Sequence, residues 1–303
     1  MLENPQSAQV RAYFFLSVTT LCWGANTVFA KLAVGEVSPM MLIMWRWLGV
    51  VLIVLPITAP QIKQEWPTLK LHLGYLAAMG ALGFTAFNAL FYIAAHSTTA
   101  LNMGILQGTI PVFVMLSAYV AFRTKVSVLQ LIGVSITLIG VVLVALEGNL
   151  LRLQEFAFNQ GDLMIITACL LYSIYAVWLR KKPEVSALVW FAMLGTAAFL
   201  ATLPMAALEW YVGASQWPSP TGWLLIAGIT LLPSLLAQVL FIKGVELIGP
   251  GRSGVFVNLV PILASIAAVL FLNEVFRWFH GAALGLVLSG IWIAERWAPE
   301  DNR

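Results

Sequence analysis

Side-chain amides sit inside long apolar stretches of this 303-residue sequence, among them Asn26, Asn88, Gln107, Gln238 and Asn258. An amide donates and accepts hydrogen bonds at once, but it is neither a nucleophile nor a proton exchanger near neutral pH. Taken out of water unbonded it costs a few kcal/mol, on the order of 2–7. Each must therefore bond a neighbouring helix, which fixes packing, or a polar solute that enters. Aromatic side chains fall beside them at helical spacing: Trp23 with Asn26, Phe84 and Tyr92 with Asn88, and Tyr172 with Tyr175. Residues three or four apart share a helix face, so these pairings describe an uncharged surface suited to a small amphipathic molecule. The alternative for the aromatics is an ordinary lipid-facing or core position.

Arg46 is the only basic residue well inside an apolar stretch. A charge there points to function by default. Its place is about two turns from the end of its helix, within reach of snorkelling, and the favoured reading is structural: capping carbonyls or orienting helices. All 13 acidic residues fall in loops, tails or stretch ends. Exchange of protons for cationic drugs commonly uses a carboxylate at membrane depth, and none is expected here. No HExxH, no phosphate-binding glycine loop and no metal-spaced Cys/His cluster occurs, so nothing calls for an enzyme, a metal or a cofactor. Cys22 and Cys169 lie in apolar stretches and read as packing residues.

The elements that must hold these groups are membrane helices. Hydrophobic residues make up 61% and charged residues 10% of the chain, with a mean hydropathy of +0.91; a soluble domain carries roughly 25% charge. About 20 apolar residues cross a bilayer. Spans are expected near 13–34, 39–58, 71–94, 99–122, 128–146, 162–179, 186–208, 221–242, 251–272 and 278–297. With the N-terminus cytoplasmic, twelve Lys and Arg lie on the cytoplasmic side, and Lys31, Arg152 and Arg277 on the other. Positive charge is retained inside, so both termini are expected in the cytoplasm. The first span reads as a helix rather than a secretory signal peptide. Trp66, Trp217, Trp223 and Trp297 lie near span ends, as interfacial anchors do. The fold class is therefore all-α and polytopic, with ten transmembrane helices.

The chain also echoes itself. A shift of 150 places Leu90-Phe91 on Leu240-Phe241, Gly104 on Gly254, Pro111 on Pro261, Gly140 on Gly290, and Asn88 on Gln238. Near the start of the halves a shift of 149 brings Trp23-Gly24 onto Tyr172-Ser173 and Lys31 onto Arg180. Two five-helix repeats result, residues 13–146 and 162–297. Five is odd, so the second repeat must be inverted. Secondary transporters use such symmetry, with substrate bound near the midplane where the halves meet. Gly104, Gln107, Gly108 and Pro111 share one face of the fourth span, as do Gly254, Asn258 and Pro261 in the ninth. Gly104, Gly108, Pro111, Gly254 and Pro261 are candidates for a hinge or gate; close packing is the alternative for the glycines, and a static kink for the prolines.

The opening Leu21-Cys-Trp-Gly-Ala-Asn-Thr-Val-Phe-Ala-Lys31, then Pro39, Trp45-Arg46-Trp47, the Pro111 and Pro261 helices and the closing Phe271-Leu-Asn-Glu-Val275 resemble the drug/metabolite transporter superfamily. More narrowly they are similar to its EamA-type members, and most like aromatic-amino-acid exporters of the YddG type. The likeness covers roughly 13–297 and departs at Thr124, where the first repeat lacks an acid matching Glu274. It implies export of amino acids, aromatic and other neutral ones, or of related metabolites, across a bacterial inner membrane. A carrier of phosphorylated metabolites or nucleotide sugars, or a multidrug exporter, is the nearest alternative; a membrane-embedded enzyme is the alternative from another class. The implied partners are a small-molecule substrate and the lipid bilayer, with no nucleic acid, and a monomer is compatible with this. The substrate pathway is expected at Trp23, Asn26, Phe84, Asn88, Tyr92, Gln107, Tyr172, Tyr175, Gln238 and Asn258.

Overall fold

The computed structural model describes residues 5–149 and 159–297. Arg152 and Arg303, counted above for charge, and most of the joint between the halves lie outside them. Among the described residues every regular element is helical. The first half comprises α1 (Pro5–Leu32), α2 (Pro39–Leu69), α3 (Leu73–Gly80), α4 (Phe87–Ala94), α5 (Ala100–Leu106), α6 (Ile110–Phe122) and α7 (Val128–Ala145). The second comprises α8 (Gln160–Trp178), α9 (Ala187–Tyr211), α10 (Pro220–Ile229), α11 (Ala237–Ile248), α12 (Pro250–Val257), α13 (Val260–Leu272) and α14 (Trp278–Arg296).

Among the described residues eight helical runs are long and apolar enough to cross a membrane. One of them, Pro39–Ala94, has 56 residues and would stretch about 84 Å if straight, far beyond a hydrocarbon core of roughly 30 Å. It folds back instead. The Arg46 guanidinium bonds Asn88 at 2.7 Å and Tyr92 at 2.8 Å, and the reversal lies at Lys70–His72, where His72 leaves helical geometry at φ −120°, ψ 16°. Helix α1 is not among the eight, because Thr19, Thr20, Asn26 and Thr27 dilute its apolar character; it packs between α11 and α13. Helix α2 also outruns the apolar stretch expected to end at residue 58, continuing to Leu69 through Pro56, Pro60 and Pro67. Backbone groups near a membrane must be bonded whatever the side chains, so helix persists beyond the hydrophobic run.

The 150-residue echo is written in the backbone. A π-helical turn over Ala81–Ala86 recurs at Thr230–Leu236. The 3₁₀ turn Gln107–Thr109 between α5 and α6 matches the break at Asn258 and Leu259 between α12 and α13. Arg123 and Asn273 both close their helices in the left-handed conformation at φ 53°. Pro111 and Pro261 are the hinge candidates, with a static kink of a continuous helix as the alternative. They sit instead in the first turn of a new helix, where proline's missing N–H has no partner to lose.

Helices α7 and α14, equivalent in the two halves, pack antiparallel. A Cβ on Gly133 would lie 2.5 Å from the Gly290 carbonyl oxygen, and one on Gly140 would lie 3.0 Å from that of Ala283. Only glycine allows backbones so close. Two ends of the molecule follow: a terminal face, where α1 begins and α14 ends, and an opposite face. On the opposite face the halves are tied repeatedly. The Glu209 carboxylate accepts from the Ser38 hydroxyl at 2.6 Å and the Met40 N–H at 3.2 Å. The Glu274 carboxylate accepts from the Ala100 and Leu101 N–H groups, both at 2.8 Å, and so caps α5. Within the first half, Lys31 donates to the Ala95 and Thr98 carbonyls at 2.8 Å.

Candidate functional site

A cavity of about 910 Å³, its mouth included, lies between the two halves at mid-height. Both π turns reach it, through Gly83 and Phe84 on one side and Pro233 and Ser234 on the other. A π turn leaves a carbonyl without its usual helical partner, and such turns cluster at functional sites. Here the Trp23 indole N–H donates to the Pro233 carbonyl at 3.2 Å. The walls are aromatic: Trp47 stacks on Phe84 at 4.8 Å and 4°, and Tyr172 stands 5.3 Å from Phe87.

One polar network enters this apolar surround. Arg46 Nε donates to Ser234 Oγ at 2.6 Å, and Nη1 donates to Asn88 Oδ1 and to the Tyr92 hydroxyl. The Tyr92 hydroxyl in turn donates to Asn26 Oδ1 at 3.0 Å. The Asn88 amide nitrogen bonds the Phe84 carbonyl. Arg46 is 6% exposed, its guanidinium 5.2 Å from the centre of the Trp47 ring. It therefore does not snorkel. It joins side chains from both halves and lines the cavity.

Trp23, Asn26, Phe84, Asn88, Gln107, Tyr172, Gln238 and Asn258 come together around the cavity, with Gly108, Pro111 and Pro261. The remaining candidates do not line it. Tyr92 stands behind Arg46 and holds it. Tyr175 backs the wall, 5.6 Å from Phe84 and 5.5 Å from Tyr172, and its ring fills the space beside Gly83. Gly104 and Gly254 lie beyond the lining in α5 and α12. Asn258 also donates to Glu295 at 3.0 Å, whereas Gln107 donates to the Met103 carbonyl of its own helix at 3.2 Å.

Sequence reasoning missed three things. Ser234 is an unremarked serine 188 positions from the arginine it bonds. Trp47, beside Arg46 in a motif noted for resemblance, is a cavity wall. Asp162 was placed at a span end, and there it is 1% exposed, accepting from Thr98 and from the Asn102 amide at 3.2 Å. Its burial on the opposite face had no signal, since its partners come from another span.

Packing around the cavity is one-sided. A Cβ on Gly104 would lie 2.5 Å from Ala264 Cβ, whereas one on Gly254 would meet nothing within 4 Å. Helix α5 is packed against α1, α7, α8, α13 and α14; α12 packs chiefly against α1 and α11. Among the described residues α5 is tightly packed at the end of the cavity toward the opposite face, whereas its counterpart α12 is loosely packed.

Comparison with known proteins adds identity to this geometry. The pattern of the EamA-like transporter family matches twice, over residues 10–146 and 159–295. The uncharacterized transporter YyaM of Bacillus subtilis is 25% identical over 290 residues, covering 93% of each chain. An uncharacterized transporter of Archaeoglobus fulgidus is 26% identical over 93% of this chain and 96% of its own. The chloramphenicol-sensitive protein RarD of Pseudomonas aeruginosa is 28% identical over 79% of this chain and 81% of its own. One crystal structure superposes with a TM-score of 0.64 at 17% identity, over 96% of this chain and 98% of that one, a likeness of fold alone.

Proposed function

The chain belongs to the EamA-like transporter family, and from that premise we propose that it exports amino acids, aromatic and other neutral ones, or related small metabolites by alternating access. The observation that carries this reading is the cavity at the junction of the halves, tightly packed at α5 and loosely packed at its counterpart α12. Residues 13–146 and 162–297 serve as repeats facing opposite ways, an arrangement supported by antiparallel α7 and α14. Ten crossings follow when the folded-back run Pro39–Ala94 counts as two and α1 is added to the apolar helices. Both termini then lie in the cytoplasm of a bacterium, its inner membrane holding the protein, and the cavity is loaded from inside.

The cavity's chemistry supports a facilitator without proton coupling. Among the described residues no Asp or Glu lines it, so no intramembrane acid is on hand to trade protons for solute. A permanently cationic drug would meet the Arg46 charge. A phosphorylated sugar would bring about two negative charges at neutral pH to a single guanidinium. Aromatic walls with a few amides match a compact amphipathic solute better.

Counterflow in proteoliposomes tests the reading, with a panel of radiolabelled amino acids and with or without a pH gradient. Saturable exchange, equal under both conditions, is the expected result. Transport of a phosphorylated metabolite with no uptake of any amino acid would overturn it.

A further inference from the structure

Arg46 poses an electrostatic problem that the protein alone does not solve. Among the described residues it has no carboxylate partner, and its bonds go to Ser234, Asn88 and Tyr92, all uncharged. Those bonds use Nε and Nη1. The other terminal nitrogen, Nη2, bonds nothing among the described residues, yet it is not one of the sealed polar atoms of the interior, and Arg46 is a lining residue of the cavity. A buried charge without a counter-ion is strongly unfavourable, and the three bonds fix the guanidinium plane so that this free edge cannot turn away. Nη2 keeps two N–H donors, so what it offers a carboxylate is a charge-assisted contact from a single nitrogen.

We propose that the free edge of Arg46 binds a carboxylate of the transported solute, which serves as its missing counter-ion. This rests on the transport reading of the same cavity and narrows it. The solute is an amphipathic carboxylate whose apolar part lies against Trp23, Trp47, Phe84 and Tyr172. A second consequence follows from the lining, which offers an ammonium group only neutral acceptors: the Asn26, Gln107, Gln238 and Asn258 amides and carbonyls at the helix breaks. A monoanion neutralises the cavity, whereas a zwitterion leaves its positive charge in place. The acid lacking the amino group therefore binds at least as tightly as the amino acid.

The test uses the full-length protein in detergent and four probes: phenylalanine, 3-phenylpropanoate, and the analogues in which an amide replaces the carboxylate, phenylalaninamide, which keeps its ammonium charge, and 3-phenylpropanamide, which is neutral and gives the deciding comparison. Binding is read by quenching of tryptophan fluorescence and by the rise in melting temperature. Wild-type protein is expected to bind each acid roughly 10- to 100-fold more tightly than its amide, the span of a charge-assisted pair. Arg46→Gln should erase that discrimination, and Arg46→Lys should restore part of it. Equal affinity for acid and amide in the wild type, discrimination that persists in Arg46→Gln, or binding of none of the four would overturn the proposal. Should Arg46→Gln fail to give a monodisperse protein, the acid-to-amide ratio of the wild type decides alone. Discrimination in these binding assays without counterflow would sink the transport reading and leave the carboxylate site standing.

Discussion

Helices α5 and α12 are the same piece of the two repeats, offset by 150 residues, and the structure puts them in opposite circumstances. Every residue of α5 is buried, from Ala100 to Leu106. In α12, Arg252 and Val255 are exposed, and Ser253 is buried. Helix α5 has its first free N–H groups capped by Glu274, a residue of the other repeat. The reciprocal cap is ruled out by chemistry: position 124 is Thr, and position 250 is Pro, which has no N–H to give. Sequence similarity sets which segments are equivalent, and packing sets which of them is closed. The contrast gives conformational meaning to a pair of glycines that look alike on paper.

The strongest way to break this comparison is to fill both glycines. Gly104→Leu places a side chain where Ala264 already stands, at an overpacking cost of about 1–3 kcal/mol, and counterflow should vanish. Gly254→Leu meets open space; its melting temperature should match wild type, within about 0.5 kcal/mol, while flux drops because the alternate state needs that space. Wild-type flux in Gly104→Leu would end the case for closure at α5. Next in size is Glu274→Ala, which removes two charge-assisted bonds worth about 1.5–3 kcal/mol each when well shielded, less for this half-buried carboxylate. A cysteine at Leu101 should then react about tenfold faster with an impermeant maleimide added from the opposite face. An unchanged rate would mean that the cap holds helix geometry and does not latch the halves. The smallest effect is expected from building the missing cap. Thr124→Glu alone should change stability by less than about 0.5 kcal/mol. Combined with Pro250→Ala it should show a coupling of about 0.5–1 kcal/mol in a double-mutant cycle; additivity would show that the terminal face cannot accept such a lock.

Much of the architecture was legible because the repeat is nearly free of gaps. Pro111 and Pro261, Gly140 and Gly290, and the amides at 88 and 238 marked equal depths before any geometry was known. The structure adds π turns and left-handed caps at the same offset. What could not be read was contact between distant segments. Nothing near Ser234 announces Arg46, and nothing near Asp162 announces Thr98. Tyr92 and Tyr175 share spacing with lining residues but face away from the cavity, since a helix face is wider than the wall it contributes. Helix ends were misjudged for another reason: hydropathy registers the solvent of the side chains, whereas α2 runs on to Leu69 because its backbone must be bonded.

The seam between α7 and α14 has one more property. Under the repeat operation the contact of Gly133 with Gly290 becomes the contact of Gly140 with Ala283, so exchanging the shapes of the two halves returns the seam to itself. It acts as a pivot: whatever the halves trade in passing from one state to the other, this pair of helices trades nothing. A covalent staple across it should leave turnover intact, whereas a staple joining Gly104 to Ala264 should arrest the machine with its far door shut.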